Sequence, residues 1–123
     1  MDSKPTAPAP FRVTADGFRN LPSMEAPGID AFIGDVYTNP EESVMASGFF
    51  ELHHADEPLD YEYTYDEMKI VVEGEFRLEN KDTGQVLTAR PKDVIFFPKG
   101  SRILFSTPDR ALAFYVGHRS FAP

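Results

Sequence analysis

Within the nine residues 61–69, Tyr61, Tyr63, Glu67 and Lys69 supply a carboxyl group, an amine and two phenols. Their spacing is two by two. Successive residues of a strand point to opposite faces, so Tyr61 and Tyr63 share one side, as do Glu67, Lys69 and Val71. A carboxylate carried into an apolar interior without a partner favours its protonated form and becomes a general acid or base. If Lys69 pairs with it, it stays ionised; the sequence leaves both outcomes open. In a catalytic role Glu67 moves a proton, Tyr63 donates a hydrogen bond to a developing oxyanion, and Lys69 holds a substrate carboxylate or phosphate. In an inert role the Glu67–Lys69 pair is scaffold and the tyrosines fill a core, since aromatic residues are favoured in strands.

Other groups carry weaker signals. His53 and His54 invite a metal, because imidazole is the commonest ligand. Adjacent strand residues face opposite ways, however, so at most one of the two can turn inward. Glu51 is a further carboxylate whose facing is open, since either Phe49 or Phe50 could be the core residue beside it. Glu62 alternates with Tyr61 and Tyr63 and is expected outside, His118 at a rim or on the surface, and Ser101 in a turn bonding nearby backbone. Neither a phosphate loop nor a dinucleotide fingerprint is present. With no cysteine there is no disulfide framework and no thiolate nucleophile.

These side chains need a scaffold, and 123 residues fit one domain. The net charge of −8 opposes binding to phosphate backbones, so no nucleic-acid partner is expected. No run of about 18 apolar residues predicts a membrane span. Met1-Asp2-Ser3-Lys4 leads into Pro and Ala rather than an apolar run, so no secretory leader is expected and the cytoplasm is the default.

Residues 1–10 are Pro- and Ala-rich and read as a flexible arm, leaving 11–123 as the folded domain. Phe11-Arg12-Val13 is a candidate edge strand, and 29–37 has strand composition. From Val44 onward short strands are expected near 44–54, 60–64, 67–73, 75–79, 85–88, 94–97, 102–106 and 111–117, a spacing that suits a sandwich or barrel. Asn80-Lys81-Asp82-Thr83-Gly84 reads as a hairpin loop. Pro91, Pro98 and Pro108 fall between strands, where a missing N–H is harmless. No segment keeps a helical period over three turns.

The pattern resembles the two motifs of cupin barrels, G-x5-H-x-H-x3/4-E-x6-G and G-x5-P-x-G-x2-H-x3-N. Glu67 and Gly74 are spaced as the first motif requires, with Tyr61 and Tyr63 at its histidine positions. In the second, Lys92-Asp93 takes the opening position, Pro98 and Gly100 are in register, and Ile103 stands where the third histidine belongs. The resemblance implies an all-β fold, a double-stranded β-helix or jelly roll. It also implies that Glu67, Lys69, Tyr61 and Tyr63 point inward, into a pocket shared with Phe97, Ile103 and Phe105. Of four expected metal ligands only Glu67 remains, so no metal or other cofactor is expected. The one metal alternative is a divalent ion at Glu67 with His53 or His54.

Among cupins the chain is most similar to the EutQ-like ethanolamine-utilisation proteins. The carriers are Tyr65-Asp66-Glu67, Val72-Glu73-Gly74, the run Asp93-Val94-Ile95-Phe96-Phe97-Pro98-Lys99-Gly100-Ser101, Phe105-Ser106-Thr107-Pro108 and Phe114-Tyr115-Val116, covering roughly residues 48–117. That resemblance implies an acetate-kinase activity using ATP. The residues themselves point to a metal-independent enzyme that transfers protons on a small organic substrate: a lyase, isomerase, dehydratase or cyclase. Here Glu67, Tyr63 and Lys69 are catalytic, and Tyr61, Glu51, His54, Phe97, Ile103 and Phe105 bind substrate. A non-catalytic small-molecule binder remains the third option. Cupins often pair through N-terminal strands and edge strands need covering, so a homodimer is expected, with 29–37 as the pairing segment.

Overall fold

The computed structural model describes residues 10–39 and 44–120. The chain forms nine strands: β1 (Ala31–Thr38), β2 (Ala46–His53), β3 (Leu59–Glu62), β4 (Glu67–Glu73), β5 (Phe76–Asn80), β6 (Val86–Ala89), β7 (Val94–Phe97), β8 (Arg102–Ser106) and β9 (Arg110–Gly117). They build a five-stranded sheet in the order β1-β2-β9-β4-β7 and a four-stranded sheet in the order β3-β8-β5-β6. Every named pairing is antiparallel. Among the described residues there is no helix, and hence none long and apolar enough to cross a membrane. The all-β expectation holds, and most strand limits fall within two residues of those expected.

Alternation explains why these segments fold this way. Along β2 every second residue is buried, from Ala46 through Phe50 to Leu52, and β4 buries Glu67, Lys69 and Val71 while exposing Met68, Ile70 and Val72. Strands written in this two-residue period bury one face against a second sheet. The shared interior is aromatic. Phe50 stacks on Phe76 with centroids 5.7 Å apart and meets Phe105 edge-on at 5.5 Å, and Phe97 lies 5.6 Å from Phe105.

The expected 80–84 turn joins β5 to β6, where the Asn80 side-chain oxygen accepts the amides of Asp82 (2.9 Å) and Thr83 (3.2 Å). One expectation fails on the N-terminal side. Phe11-Arg12-Val13 forms no strand; Phe11 is 93% and Val13 86% exposed. Instead residues 22–24 lie along the free edge of β1. Met24 N–H donates to Ala31 O (2.8 Å), Ile33 N–H donates to Pro22 O (2.9 Å), and Ser23 bridges Phe32. The edge expected to pair with a second chain is therefore capped in part by the chain itself. The arm read at residues 1–10 lies outside the described residues except for Pro10.

Candidate active site

β4 carries Glu67 and Lys69 into the barrel, where both are almost fully buried, and Lys69 Nζ donates to Glu67 Oε2 at 2.7 Å. An ammonium in an apolar interior must be compensated. Here one carboxylate and a shell of rings do it. Nζ lies 4.9 Å from the Tyr115 centroid, 5.0 Å from Phe50, 5.9 Å from Phe105 and 6.0 Å from Phe97. Burial still depresses the Lys69 pKa below the usual lysine value, with the Glu67 charge and hydrogen bond pulling it back up and the Arg119 charge pushing it down.

Tyr63, just beyond β3, stacks on Phe97 at 4.6 Å with an interplanar angle of 9° and lines the same cavity as Glu67. Burial, then the Glu67 charge, pushes the phenol well above the ordinary tyrosine value. Tyr61 and Tyr65 join hydroxyl to hydroxyl at 2.6 Å, and the Arg119 guanidinium lies 5.4 Å from the Tyr65 ring centroid. Arg119 is held in turn by Asp35, through Nη1 to Oδ2 (2.9 Å) and Nη2 to Oδ1 (2.8 Å), while the Tyr115 hydroxyl donates to Asp35 Oδ1 at 2.6 Å. A polar belt thus runs from Asp35 through Arg119 and, by a cation–ring contact, Tyr65 to Tyr61, above the Glu67–Lys69–Tyr63 group.

Two spaces meet at this belt. The inner one is a cavity of about 20 Å³ beside Glu67, Lys69, Tyr63, Phe50 and Phe105, room for about one water molecule. Outside it opens a cleft of about 780 Å³ floored by Asp35, Tyr61, Tyr65, Tyr115 and Arg119 and walled by segment 17–25. Met24, Ile33, Tyr61 and Tyr65 border both spaces and form the neck between them.

The structure therefore brings Tyr61, Tyr63, Glu67, Lys69 and Phe105 to one cavity, with Phe97 behind Tyr63 and Ile103 in the surrounding core. Glu51 and His54 are corrected. Phe50 and Leu52 take the inward positions of β2, so Glu51 faces out, where it binds His53 Nε2 (2.7 Å) and Arg110 Nε (3.2 Å). His54 is exposed, its Nδ1 3.0 Å from Thr107 O. Neither touches the cavity or the cleft. Sequence reasoning missed the belt itself. Tyr65 continues the 61, 63 alternation and was open to that inference; Asp35 and Arg119, separated by 84 positions, gave no local sign.

The three buried phenols make one prediction. Tyr63, Tyr65 and Tyr115 are all held above the ordinary value of 10.0, chiefly by burial. Folded phenols that keep their protons support the fold fully below the unfolded tyrosine pKa, and that support drains away as pH rises above it. Stability should therefore fall as pH rises beyond about 10, and tyrosinate absorbance from these three should appear together with loss of the circular-dichroism signal. Full ionisation of all five tyrosines with the fold intact would contradict it.

The profile described as "Ethanolamine utilisation protein EutQ" matches residues 19–120. The chain belongs to the EutQ family. It is 38% identical over 82 residues to the protein named acetate kinase EutQ of Salmonella typhimurium, covering 67% of this chain and 34% of that one. The relatives it matches by sequence are longer: the chain spans about a third of the Salmonella and Escherichia coli proteins and half of the Clostridioides difficile one. The solved EutQ structure of Clostridium difficile superposes with a TM-score of 0.67 at 29% identity, over 77% of this chain and 66% of that one. The cupin domain of Schizosaccharomyces pombe Cnp3, at 14% identity, shares the fold alone, with a TM-score of 0.60 over 73% of this chain and 61% of that one. The architecture is a cupin barrel.

Cupin barrels commonly hold a metal, and the residues at those positions do not fit one here. Two are phenols, Tyr61 bonded through its hydroxyl to Tyr65 and Tyr63 stacked on Phe97, and the third is the buried aliphatic Ile103. The one carboxylate already carries an ammonium on Oε2, whose charge repels a cation. Nor can His53 or His54 join Glu67, since β2 turns His53 to Glu51 on the outer face and His54 stands exposed beyond it. Among the described residues no three His, Cys, Asp or Glu side chains converge.

Proposed function

We propose that this EutQ-family cupin catalyses metal-independent proton transfer on a small organic molecule, in reactions of the lyase, isomerase, dehydratase or cyclase type. The observation that carries this is Glu67: a buried carboxyl group bonded to Lys69 and sharing a cavity with Tyr63, beneath a cleft large enough for a small substrate. Interior acids that merely stabilise a fold have no need of an opening above them.

The 20 Å³ inner cavity cannot take a substrate as it stands. Binding is in the cleft, and the reacting group passes the neck by displacing Met24 or parting the Tyr61–Tyr65 hydroxyl pair. Glu67 then takes or returns the proton, Tyr63 donates to the oxygen where charge develops, and Lys69 keeps the carboxylate oriented. A tyrosine held above its usual pKa stays a donor across the physiological range.

The test is proton NMR in D2O on the purified protein with a panel of small carbonyl compounds and hydroxy acids. Carbon-bound deuterium or a new product should appear, and Glu67→Gln should lower the rate by about 100-fold or more, the usual contribution of a general acid or base. Unchanged turnover in a folded Glu67→Gln variant would sink the proposal. A ligand that raises the melting temperature of both forms without chemical change would identify a binding module instead.

A second reading takes its support from the relatives, which carry the name acetate kinase EutQ. Its site would be the same cleft, where Arg119 is engaged by Asp35 and Tyr65 and the exposed Arg19 is the other cation. Release of ADP from ATP and acetate, lost in Glu67→Gln, would establish it.

A further inference from the structure

Lys81, Lys92 and Lys99 are exposed, whereas Lys69 is 4% exposed and lies against a carboxyl group inside the barrel. An ammonium offers three donors. Among the described residues Nζ finds one hydrogen-bond acceptor, Glu67 Oε2 at 2.7 Å. Around the rest of it stand the rings of Phe50, Phe97, Phe105 and Tyr115. Such a setting favours the uncharged amine, and the depressed lysine pKa has the same burial as its largest cause. An uncharged amine carries a lone pair and attacks carbonyl carbon. A carboxylate within hydrogen-bond reach is the base that frees that pair.

This nucleophile is not sealed in. Lys69 and Glu67 both line the inner cavity, and the neck of Met24, Ile33, Tyr61 and Tyr65 joins that cavity to the cleft. The space decides which carbonyl compounds can arrive. A cavity of about 20 Å³ has room for about one water molecule, and so for a terminal carbonyl group, not for a carbonyl flanked by two chains. An aldehyde presents its carbonyl at the end of the chain. Where that chain is unbranched, it can follow through the neck while the remainder stays in the cleft.

We propose that Lys69 Nζ forms an imine with the carbonyl carbon of a small unbranched aldehyde reaching it from the cleft. Glu67 carries the proton here as in the proton-transfer reading, on which this assignment rests. The ammonium passes one proton to Glu67 Oε2. The freed lone pair bonds the carbonyl carbon, and the C=O π pair moves to oxygen, which takes a proton from the nitrogen. Glu67 then returns its proton to that hydroxyl, the C–O bond breaks, and water leaves as nitrogen completes the C=N bond. The product is a protonated imine beside a carboxylate, so charge is conserved. That carboxylate is placed to remove a proton from the carbon next to the imine, whose acidity the C=N⁺ group raises. The surrounding rings keep bulk water from the bond.

The experiment treats the purified protein at neutral pH with propanal and sodium cyanoborohydride, then maps propyl groups by peptide mass spectrometry. Lys69 should be labelled about 10-fold or more faster than the exposed Lys81, Lys92 and Lys99. Glu67→Gln should slow labelling at Lys69 by about 100-fold. Should that variant misfold, the wild-type map still decides. The branched 2-methylpropanal should label Lys69 more slowly than propanal by about 10-fold or more, through exclusion at the neck. Labelling of the exposed lysines with Lys69 untouched would overturn the proposal, and equal labelling of Lys69 by both aldehydes would overturn entry through the neck. A parallel incubation in D2O without reductant separates the two readings. Glu67-dependent deuterium next to the propanal carbonyl, with no propyl group on Lys69, overturns the imine and leaves proton transfer standing. A propyl group on Lys69 with no exchange and no product upholds the imine and removes proton transfer.

Discussion

Lys69→Met should destabilise the protein by about 3–5 kcal/mol, and adding Glu67→Gln should restore most of that loss. The single substitution removes the ammonium and leaves Glu67, 3% exposed, with no countercharge on Oε2. The double substitution removes both charges from a site already walled by Phe50, Phe97, Phe105 and Tyr115. A buried pair replaced by groups of similar volume commonly leaves stability unchanged or raised, because two desolvation penalties disappear with one attraction. Urea unfolding followed by circular dichroism measures both, with the slope confirming a shared mechanism. A Lys69→Met loss below about 1 kcal/mol would mean that the pair is not electrostatically buried as described. Lysine also sets a pH signature. Its folded pKa lies below 10.5, so between the folded value and 10.5 the unfolded chain binds more protons and wild-type stability rises with pH. Lys69→Met lacks that rise. A site that costs the fold stability in this way is poorly explained as packing, and that supports a chemical role for Glu67.

Strand alternation carried much of this site in the sequence. Once Glu67 is turned inward, a two-residue period forces Lys69 and Val71 in beside it and sends Met68, Ile70 and Val72 out. Tyr63 was legible for the same reason. Glu51 was not, because β2 reads Phe49-Phe50 and either ring could have taken the core; Phe50 does, and Phe49 is covered from outside by Phe18. His54 follows from that choice of face together with the end of β2 at His53. The belt was illegible for a different reason. Asp35 and Arg119 are brought together by β1 and the tail of β9 flanking one barrel mouth, a contact made by topology rather than by any local pattern. The neck was hidden too, since Met24 sits in an irregular segment fixed only by backbone bonds to β1. Bare apolar residues on β4 and β7 were visible as alternation, but a sequence cannot say which outward faces the chain itself will cover.

Gly48→Ala should be among the most damaging single-methyl additions in this chain, costing about 3 kcal/mol or more. Gly48 occupies an inward position of β2 opposite Asp35 of β1 and Tyr115 of β9. A Cβ there would overlap the Gly34 carbonyl oxygen and lie 2.6 Å from the Tyr115 hydroxyl and 2.8 Å from the Asp35 Cα. Two of these three atoms are backbone, so no rotamer change relieves them; β1 must move. That motion draws Asp35 away from Tyr115 and Arg119 and loosens the belt over the cavity. Gly34→Ala is the matched control. Its Cβ would meet only Pro22 Cδ at 3.1 Å and Leu21 Cδ2 at 3.3 Å, side-chain atoms of the segment lying outside β1, and should cost less than about 1.5 kcal/mol. Thermal unfolding compares the two, and near-UV circular dichroism follows the tyrosines of the belt. A Gly48→Ala protein as stable as Gly34→Ala, with an unchanged tyrosine signal, would show that β1 is not pinned to the barrel mouth at this point. If the expected loss is found, the close approach of β1 to β2 is what holds Asp35 on Arg119, and through Tyr65 what keeps the neck above Glu67 closed.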